Sequence, residues 1–271
     1  MKVAFLGGGV IARLALERMQ AGALGDFVPV AILGRSERSK ARDLAAQYRI
    51  AYVLDRGALL SLKPHVVVEA ASHDAVREHA GPLLEAGVSL ILLSGGALHD
   101  DALRHRLERL AEEKGASLYV PSGGIGGLDA LKAVVAAGCE RVEIAVTKPP
   151  AAWKNIPYVE RLGVDLDRLD GPRVLFDGTA REGVPHFPQN VNIAAVLSMA
   201  GIGFDRTRLK VVADPALKLN THYINVRGKT GTVSLKFESV PFPDNPKTAM
   251  LACFSALAAL KEFRGRVRYG T

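Results

Sequence analysis

The first residues able to do chemistry lie at the amino terminus. Gly7-Gly8-Gly9-Val10-Ile11-Ala12 follows the apolar run Val3-Ala4-Phe5-Leu6 and spaces two glycines and an alanine as G-x-G-x-x-A. In a strand-to-helix turn each position has a mechanical task. Gly7 permits the tight turn, Gly9 lets the main chain approach a pyrophosphate, and Ala12 keeps the helix close to the sheet. The N–H groups of Val10, Ile11 and Ala12 offer donors and positive potential to phosphate oxygens. Alone the pattern is weak; directly after the first strand of a β-α-β unit it points to a dinucleotide.

The second apolar run qualifies that dinucleotide. Val30-Ala31-Ile32-Leu33-Gly34-Arg35-Ser36-Glu37 puts glycine where an NAD site usually carries Asp or Glu for the ribose diol. The guanidinium of Arg35 and the hydroxyl of Ser36 suit a 2′-phosphate. This favours NADP, with NAD open if Glu37 or a main-chain group serves the diol and Arg35 stacks on adenine. Ser72 and His73 follow Glu69-Ala70-Ala71, another apolar run whose carboxyl end would face a bound dinucleotide. They join the cofactor candidates.

Other chemistries find little support. No His/Cys/Asp set has zinc-like spacing, and Ser122 lacks the G-x-S-x-G setting of a hydrolase nucleophile. The chain has 271 residues, and its 35 Lys+Arg against 28 Asp+Glu give a charge of +7. These charges are dispersed, and no zinc-finger or RNA-binding signature accompanies them, so a nucleic-acid partner is not expected. No run is long enough to span a membrane, and the first residues lack a signal-peptide pattern. Cys139 and Cys253 are the only cysteines, which fits a reducing, cytoplasmic setting better than a disulfide framework.

The elements that must position these residues change character part-way along the chain. Up to about residue 121, short buried-strand runs (Val3–Leu6, Val28–Leu33, Val66–Ala70, Ser89–Leu93, Ser117–Val120) alternate with amphipathic helical patterns. The latter are Ile11–Gln20, Glu37–Tyr48, Asp74–Ala86 and Asp100–Lys114. That alternation predicts a doubly wound parallel sheet of Rossmann type. Pro121-Ser122-Gly123-Gly124-Ile125-Gly126-Gly127 then marks a hinge. Beyond it, helices at Leu128–Ala137 and Val191–Ala200 punctuate strand patterns at 141–147, 173–176, 209–212, 223–226 and 232–237. The second half reads as an α+β domain with a mixed or antiparallel sheet. The expected division is 1–121, 122–244 and 245–271, the last a buried apolar helix at Thr248–Leu260 returning to the first domain.

Several landmarks occur in order: the glycine turn, Leu93-Ser94-Gly95-Gly96-Ala97-Leu98, the hinge with Leu128-Asp129-Ala130, Thr147-Lys148-Pro149-Pro150, Phe187-Pro188-Gln189-Asn190-Val191-Asn192, Asn220-Thr221-His222 and Asn245-Pro246-Lys247-Thr248. Together they resemble the L-aspartate dehydrogenase family from about Val3 to Leu260. The resemblance implies oxidation of L-aspartate to iminosuccinate with NAD or NADP, or the reverse reductive amination, and commonly a homodimer. It also makes His222 the catalytic acid/base and puts Gly124 and Asn190 at cofactor-binding positions. Gly124 departs from the alanine of many members, and Gly96 from a frequent valine.

A dicarboxylate substrate calls for cationic or amide donors, for which Lys148, Lys247, Asn190 and Asn192 are the candidates. Each has a plainer alternative: Lys148 as a solvated side chain before a Pro-Pro turn, Lys247 as a charge near the last helix, and the asparagines as helix caps. Trp153 reads as core rather than cleft. Two rivals for the whole chain are a dihydrodipicolinate- or homoserine-type reductase, and a nucleotide-sensing module without turnover.

Overall fold

In a computed structural model, the structure describes residues 1–242, 245–265 and 267, with side chains described except at 245–248 and 264. The chain divides into two compact units. One comprises Met1–Pro121 with Cys253–Val267, and the other begins at Ser122 and runs to Ala252.

The first unit runs β1 (Lys2–Leu6), α1 (Val10–Gln20), β2 (Val28–Leu33), α2 (Lys40–Gln47), β3 (Ala51–Val53), α3 (Arg56–Ser61), β4 (Val66–Glu69), α4 (His73–Glu85), β5 (Ser89–Leu92), α5 (Asp101–Lys114) and β6 (Leu118–Tyr119). The strands form one parallel sheet in the order β3-β2-β1-β4-β5-β6, the doubly wound arrangement. Val66–Glu69 are buried without alternation because helices cover both faces. The chain reverses winding between β1 and β4, so the loops after these strands, Gly7–Gly9 and Ala70–Ser72, flank the crevice where such sheets take ligands.

Two details depart from the sequence expectation. The helix expected at Glu37–Tyr48 starts only at Lys40, because the Ser39 hydroxyl accepts from Ala41 N and caps it there. The pair β3 and α3 was not anticipated. Three half-buried residues and six helical ones are too short for periodicity to register, and α3 is set by the Asp55 carboxylate accepting from Ala58 N.

The second unit contains α6 (Leu128–Gly138), β7 (Cys139–Lys148), α7 (Pro157–Arg161), β8 (Arg173–Thr179), α8 (Ala180–Gly183), α9 (Asn192–Ala200), β9 (Thr207–Ala213), β10 (Asn220–Gly228) and β11 (Gly231–Ser239). Its sheet has the order β11-β10-β7-β9-β8, with β7 and β9 parallel and the other pairs antiparallel. Alternation decides its faces. Val142, Ile144 and Val146 of β7, Ile224 and Val226 of β10, and Leu209 and Val211 of β9 share a core with Leu131 and Val134 of α6 and Ala194 and Leu197 of α9. The intervening Arg141, Tyr223, Asn225, Arg208 and Lys210 lie on the opposite, exposed or half-buried side.

A two-stranded ribbon follows, of β12 (Pro241–Phe242) and β13 (Asn245–Ala249). The last helix, α10, spans Met250–Arg264 rather than 248–260. Its Cys253, Ala256, Leu257, Ala259 and Leu260 are buried, and Phe254 lies under the Arg18 guanidinium of α1 at 6.0 Å. Among the described residues no helix is long and apolar enough to cross a membrane, and both cysteines are free thiols.

Candidate active site

In the first unit, the glycine turn has the geometry its spacing predicted. Gly7 has φ +85°, a left-handed conformation that favours glycine, and its N–H donates to Leu33 O at 3.0 Å. Gly8 touches Ala41, so a side chain there would collide with α2. Gly9 differs. It caps α1 with φ −79°, and a Cβ added there would meet nothing within 4 Å. Neither backbone strain nor packing demands glycine at that position, and the space in front of the helix is open. The first turn of α1 carries no acidic residue, and Ala12 is fully buried against the sheet while Val10 and Ile11 are half-buried. These residues fit a dinucleotide pyrophosphate.

Gly34 has a steric reason of its own. An added Cβ would run into the Tyr52 ring, whose phenol donates to Ser36 O at 2.6 Å. The space an NAD-type acidic side chain would take is filled by Tyr52, and Arg35 and Ser36 are exposed beside it. Ser72 is the N-cap of α4, its hydroxyl accepting from Ala75 N at 3.2 Å, and the buried His73 opens that helix.

Sequence reasoning gave Glu69 no role, yet it organises this edge. Its carboxylate is wholly buried and accepts from Ala71 N (2.8 Å), Ser94 N (2.9 Å) and Ser94 Oγ (2.8 Å). It thereby ties the loop after β4 to the start of the tight 3₁₀ turn Gly95–His99 after β5. Burial pushes its pKa up, while the hydrogen bonds from Ala71, Ser94 and Ser72 pull it down. A carboxylate ending a hydrophobic strand was the available signal.

In the second unit the sheet register assembles the candidates. His222 is the third residue of β10, paired with Val146 of β7 and Phe237 of β11, and only 2% exposed. It therefore lies within an interior strand that begins at Asn220, earlier than the 223–226 run predicted. Its buried Nδ1 has no hydrogen-bond partner, and its Nε2 faces Gly124, 4.0 Å from where a Cβ would stand. A methyl at Gly124 would make only ordinary contacts with Ile193, Ala249 and His222. Burial, and then the nearby Lys148 cation, lower the His222 pKa to about 3; the Thr221 backbone works weakly the other way. The imidazole is thus neutral at physiological pH.

Lys148 ends β7 at 5% exposure, which overturns the reading of it as a solvated lysine before the proline turn. Among the described residues it has no hydrogen bond or ion pair; its ammonium lies 5.4 Å from the Trp153 ring centroid, and burial lowers its pKa to about 8. Trp153 is fully buried, donates to Val212 O at 3.0 Å and meets Phe187 edge-on, so it is a core residue that also walls the lysine. Asn190 is buried and donates to Ala152 O at 3.0 Å. Neither asparagine caps α9: Val191 stands at the N-cap and makes no side-chain bond, with Asn192 as the first helical residue. Lys247 lies in β13, but its side chain is outside the described residues.

His186 stacks on Tyr158 with ring centroids 4.3 Å apart. Among the described residues the partly buried His79 has an unpartnered Nδ1. Among the described residues no group of His, Cys, Asp or Glu is arranged to hold a metal ion.

Comparison with known proteins decides the family. Residues 129–263 match the family described as aspartate dehydrogenase, C-terminal, and residues 7–121 the NAD-binding domain described for homoserine dehydrogenase. The L-aspartate dehydrogenase of Methanosarcina acetivorans is 44% identical over 87% of this chain and 88% of its own. L-aspartate dehydrogenase 2 of Bordetella pertussis is 41% identical over 99% of both. This chain belongs to the L-aspartate dehydrogenase family. Among solved structures, the family's Thermotoga maritima aspartate dehydrogenase superposes with TM-score 0.77 at 27% identity, covering 100% of this chain and 99% of that one. A hyperthermophilic archaeal homoserine dehydrogenase, at TM-score 0.60 and 13% identity over 98% of this chain and 99% of its own, shares the fold alone.

Proposed function

We propose that this chain oxidises L-aspartate to iminosuccinate, which water converts to oxaloacetate and ammonia, and that it runs the reductive amination in reverse. The observation that carries the reading is the buried, neutral His222 beside the uncompensated cation Lys148 in a member of this family. When bound, a nicotinamide dinucleotide supplies the two-electron acceptor for the hydride that leaves Cα. Gly7, Gly9 and the N–H groups of Val10, Ile11 and Ala12 hold its pyrophosphate. Ser72 in the first unit, and by the resemblance Gly124 and Asn190 in the second, are further cofactor candidates.

His222 takes a proton from the substrate nitrogen, for which a neutral imidazole is the required form. Its low basicity in the free protein is corrected by the substrate itself. A carboxylate seated on Lys148 offsets the cation that depresses His222 and raises its proton affinity as the amino acid arrives. In reverse, the protonated imidazole returns that proton to the imine nitrogen.

Arg35 and Ser36, together with the filled space at Gly34, favour NADP, with NAD also accepted. The free thiols of Cys139 and Cys253 are consistent with a cytoplasmic enzyme, and a homodimer follows the resemblance.

Initial rates of reduced-nicotinamide formation from L-aspartate, L-glutamate and L-alanine, each with NAD and NADP, test the reading. Aspartate is expected to lead by at least about tenfold in kcat/KM. Absence of an aspartate preference removes the substrate assignment. Turnover of dihydrodipicolinate or aspartate semialdehyde in its place would favour the reductase alternative.

A further inference from the structure

The register that sets His222 also fixes a second row. Asn220 pairs with Ser239 of β11, and the β10–β7 ladder ends at Thr221 opposite Thr147, so Asn220 and Lys148 are the residues next beyond that last pair. Lys148 pairs in turn with Ala213 of β9. His222 and Val146 are directly paired, and residues two apart on a strand share a face, so Asn220 and Lys148 lie on the same core-facing side as those two. They stand at the end of that face, one strand repeat from His222.

Both are buried without partners. Asn220 is 2% exposed, and its Nδ2 is enclosed yet makes no hydrogen bond. Native proteins pair nearly all such groups, so a buried orphan needs an explanation. Among the described residues Lys148 is a buried cation with neither an anion nor a hydrogen-bond acceptor, another arrangement that folding alone disfavours. An ammonium beside a carboxamide offers one charged and one neutral donor, and a carboxylate has two oxygens to receive them.

We propose that Asn220 and Lys148 form the subsite for the side-chain carboxylate of a dicarboxylic amino acid, with Asn220 its specificity-determining donor. The assignment rests on the dehydrogenase reading above for which carboxylate is bound. The substrate nitrogen must lie within hydrogen-bond reach of His222. Residues two apart on a strand are separated by about 6.8 Å, and of the two carboxylates the side-chain one extends further from the reacting carbon.

The test pairs binding with rate. Succinate carries the two carboxylates and cannot be oxidised at an amino carbon; propionate carries one. Succinate is expected to raise the Tm of the wild-type protein more than propionate does, and Asn220→Ala to abolish that difference. In kinetics, Asn220→Ala lowers kcat/KM for L-aspartate by about 10–100-fold, while the slow rate with L-alanine changes by less than about threefold. Equal losses for both substrates, or an unchanged succinate response, overturn the proposal. Asn220→Ser keeps a short polar group and serves, by the same two readouts, if the alanine variant does not fold. If the wild type turns over no aspartate but still shows Asn220-dependent succinate binding, the subsite stands and the dehydrogenase reading falls.

Discussion

Lys148 and His222 occupy neighbouring rows on one face of the second sheet, and the cation of the first helps keep the imidazole of the second unprotonated. Among the described residues neither has a counter-charge: Lys148 makes no ion pair, and the imidazole Nδ1 is unpartnered. A basic side chain and a potential base, buried together without an anion, are arranged for a ligand that brings negative charge. That relationship leads to the first two predictions.

Removing the imidazole should remove catalysis and spare the fold. His222→Asn is expected to lower kcat by about 10²–10⁴-fold, with little change in far-UV circular dichroism. Because the buried ring already lacks a partner at Nδ1, its loss costs no native hydrogen bond there. A variant with wild-type kcat would show that another group moves the proton.

Replacing Lys148 by Met preserves much of the volume and deletes the buried charge. The KM for L-aspartate should rise by at least about tenfold, while Tm holds or increases because an unpaired buried cation no longer has to be desolvated. The acid limb of the pH–rate profile should also move to higher pH, since Lys148 is one of the two causes lowering the His222 pKa. A raised KM with an unmoved acid limb would separate substrate binding from the electrostatic coupling.

Stability should depend on acid through the same histidine. Its pKa is about 3 in the folded protein against an ordinary 6.5, so between these values the unfolded chain binds more protons. The contribution is complete above pH 6.5 and is lost as pH falls toward 3, by on the order of a few kcal/mol. Urea unfolding of wild type and His222→Asn at pH 7 and pH 4.5 measures it. The variant should lose less stability on acidification than the wild type.

At the glycine turn, two substitutions should separate ligand space from packing. Gly9→Ala enters open space, so Tm should stay within about 1 °C while the dinucleotide KM rises. Gly34→Ala meets the Tyr52 ring and should destabilise by about 1–3 kcal/mol. Thermal melts with and without dinucleotide distinguish the two.

For the ribose end, Arg35→Ala should reduce kcat/KM with NADP by about tenfold or more and leave NAD nearly unchanged, since an exposed guanidinium has a 2′-phosphate to bind in only one of the two cofactors. Equal effects would make Arg35 a general adenine-side contact.

Much of this protein was determined by local sequence. Strict β-α alternation specified the parallel sheet, and the G-x-G-x-x-A spacing of Gly7, Gly9 and Ala12 directly after the first strand pointed to a dinucleotide turn. The order of landmarks from the glycine turn to Asn220-Thr221-His222 identified the family. What only the tertiary structure decided concerns partners far apart in the chain. Lys148 looked equally like a solvated lysine until pairing between β7 and β10 buried it near a histidine 74 positions away. Asn190 looked like a cap until its amide met Ala152, and Glu69 passed as the end of a hydrophobic strand until Ser94 came across from the next one. Burial and charge coupling are properties of the assembled space around a side chain, and strand register brings that space together only once the chain has folded.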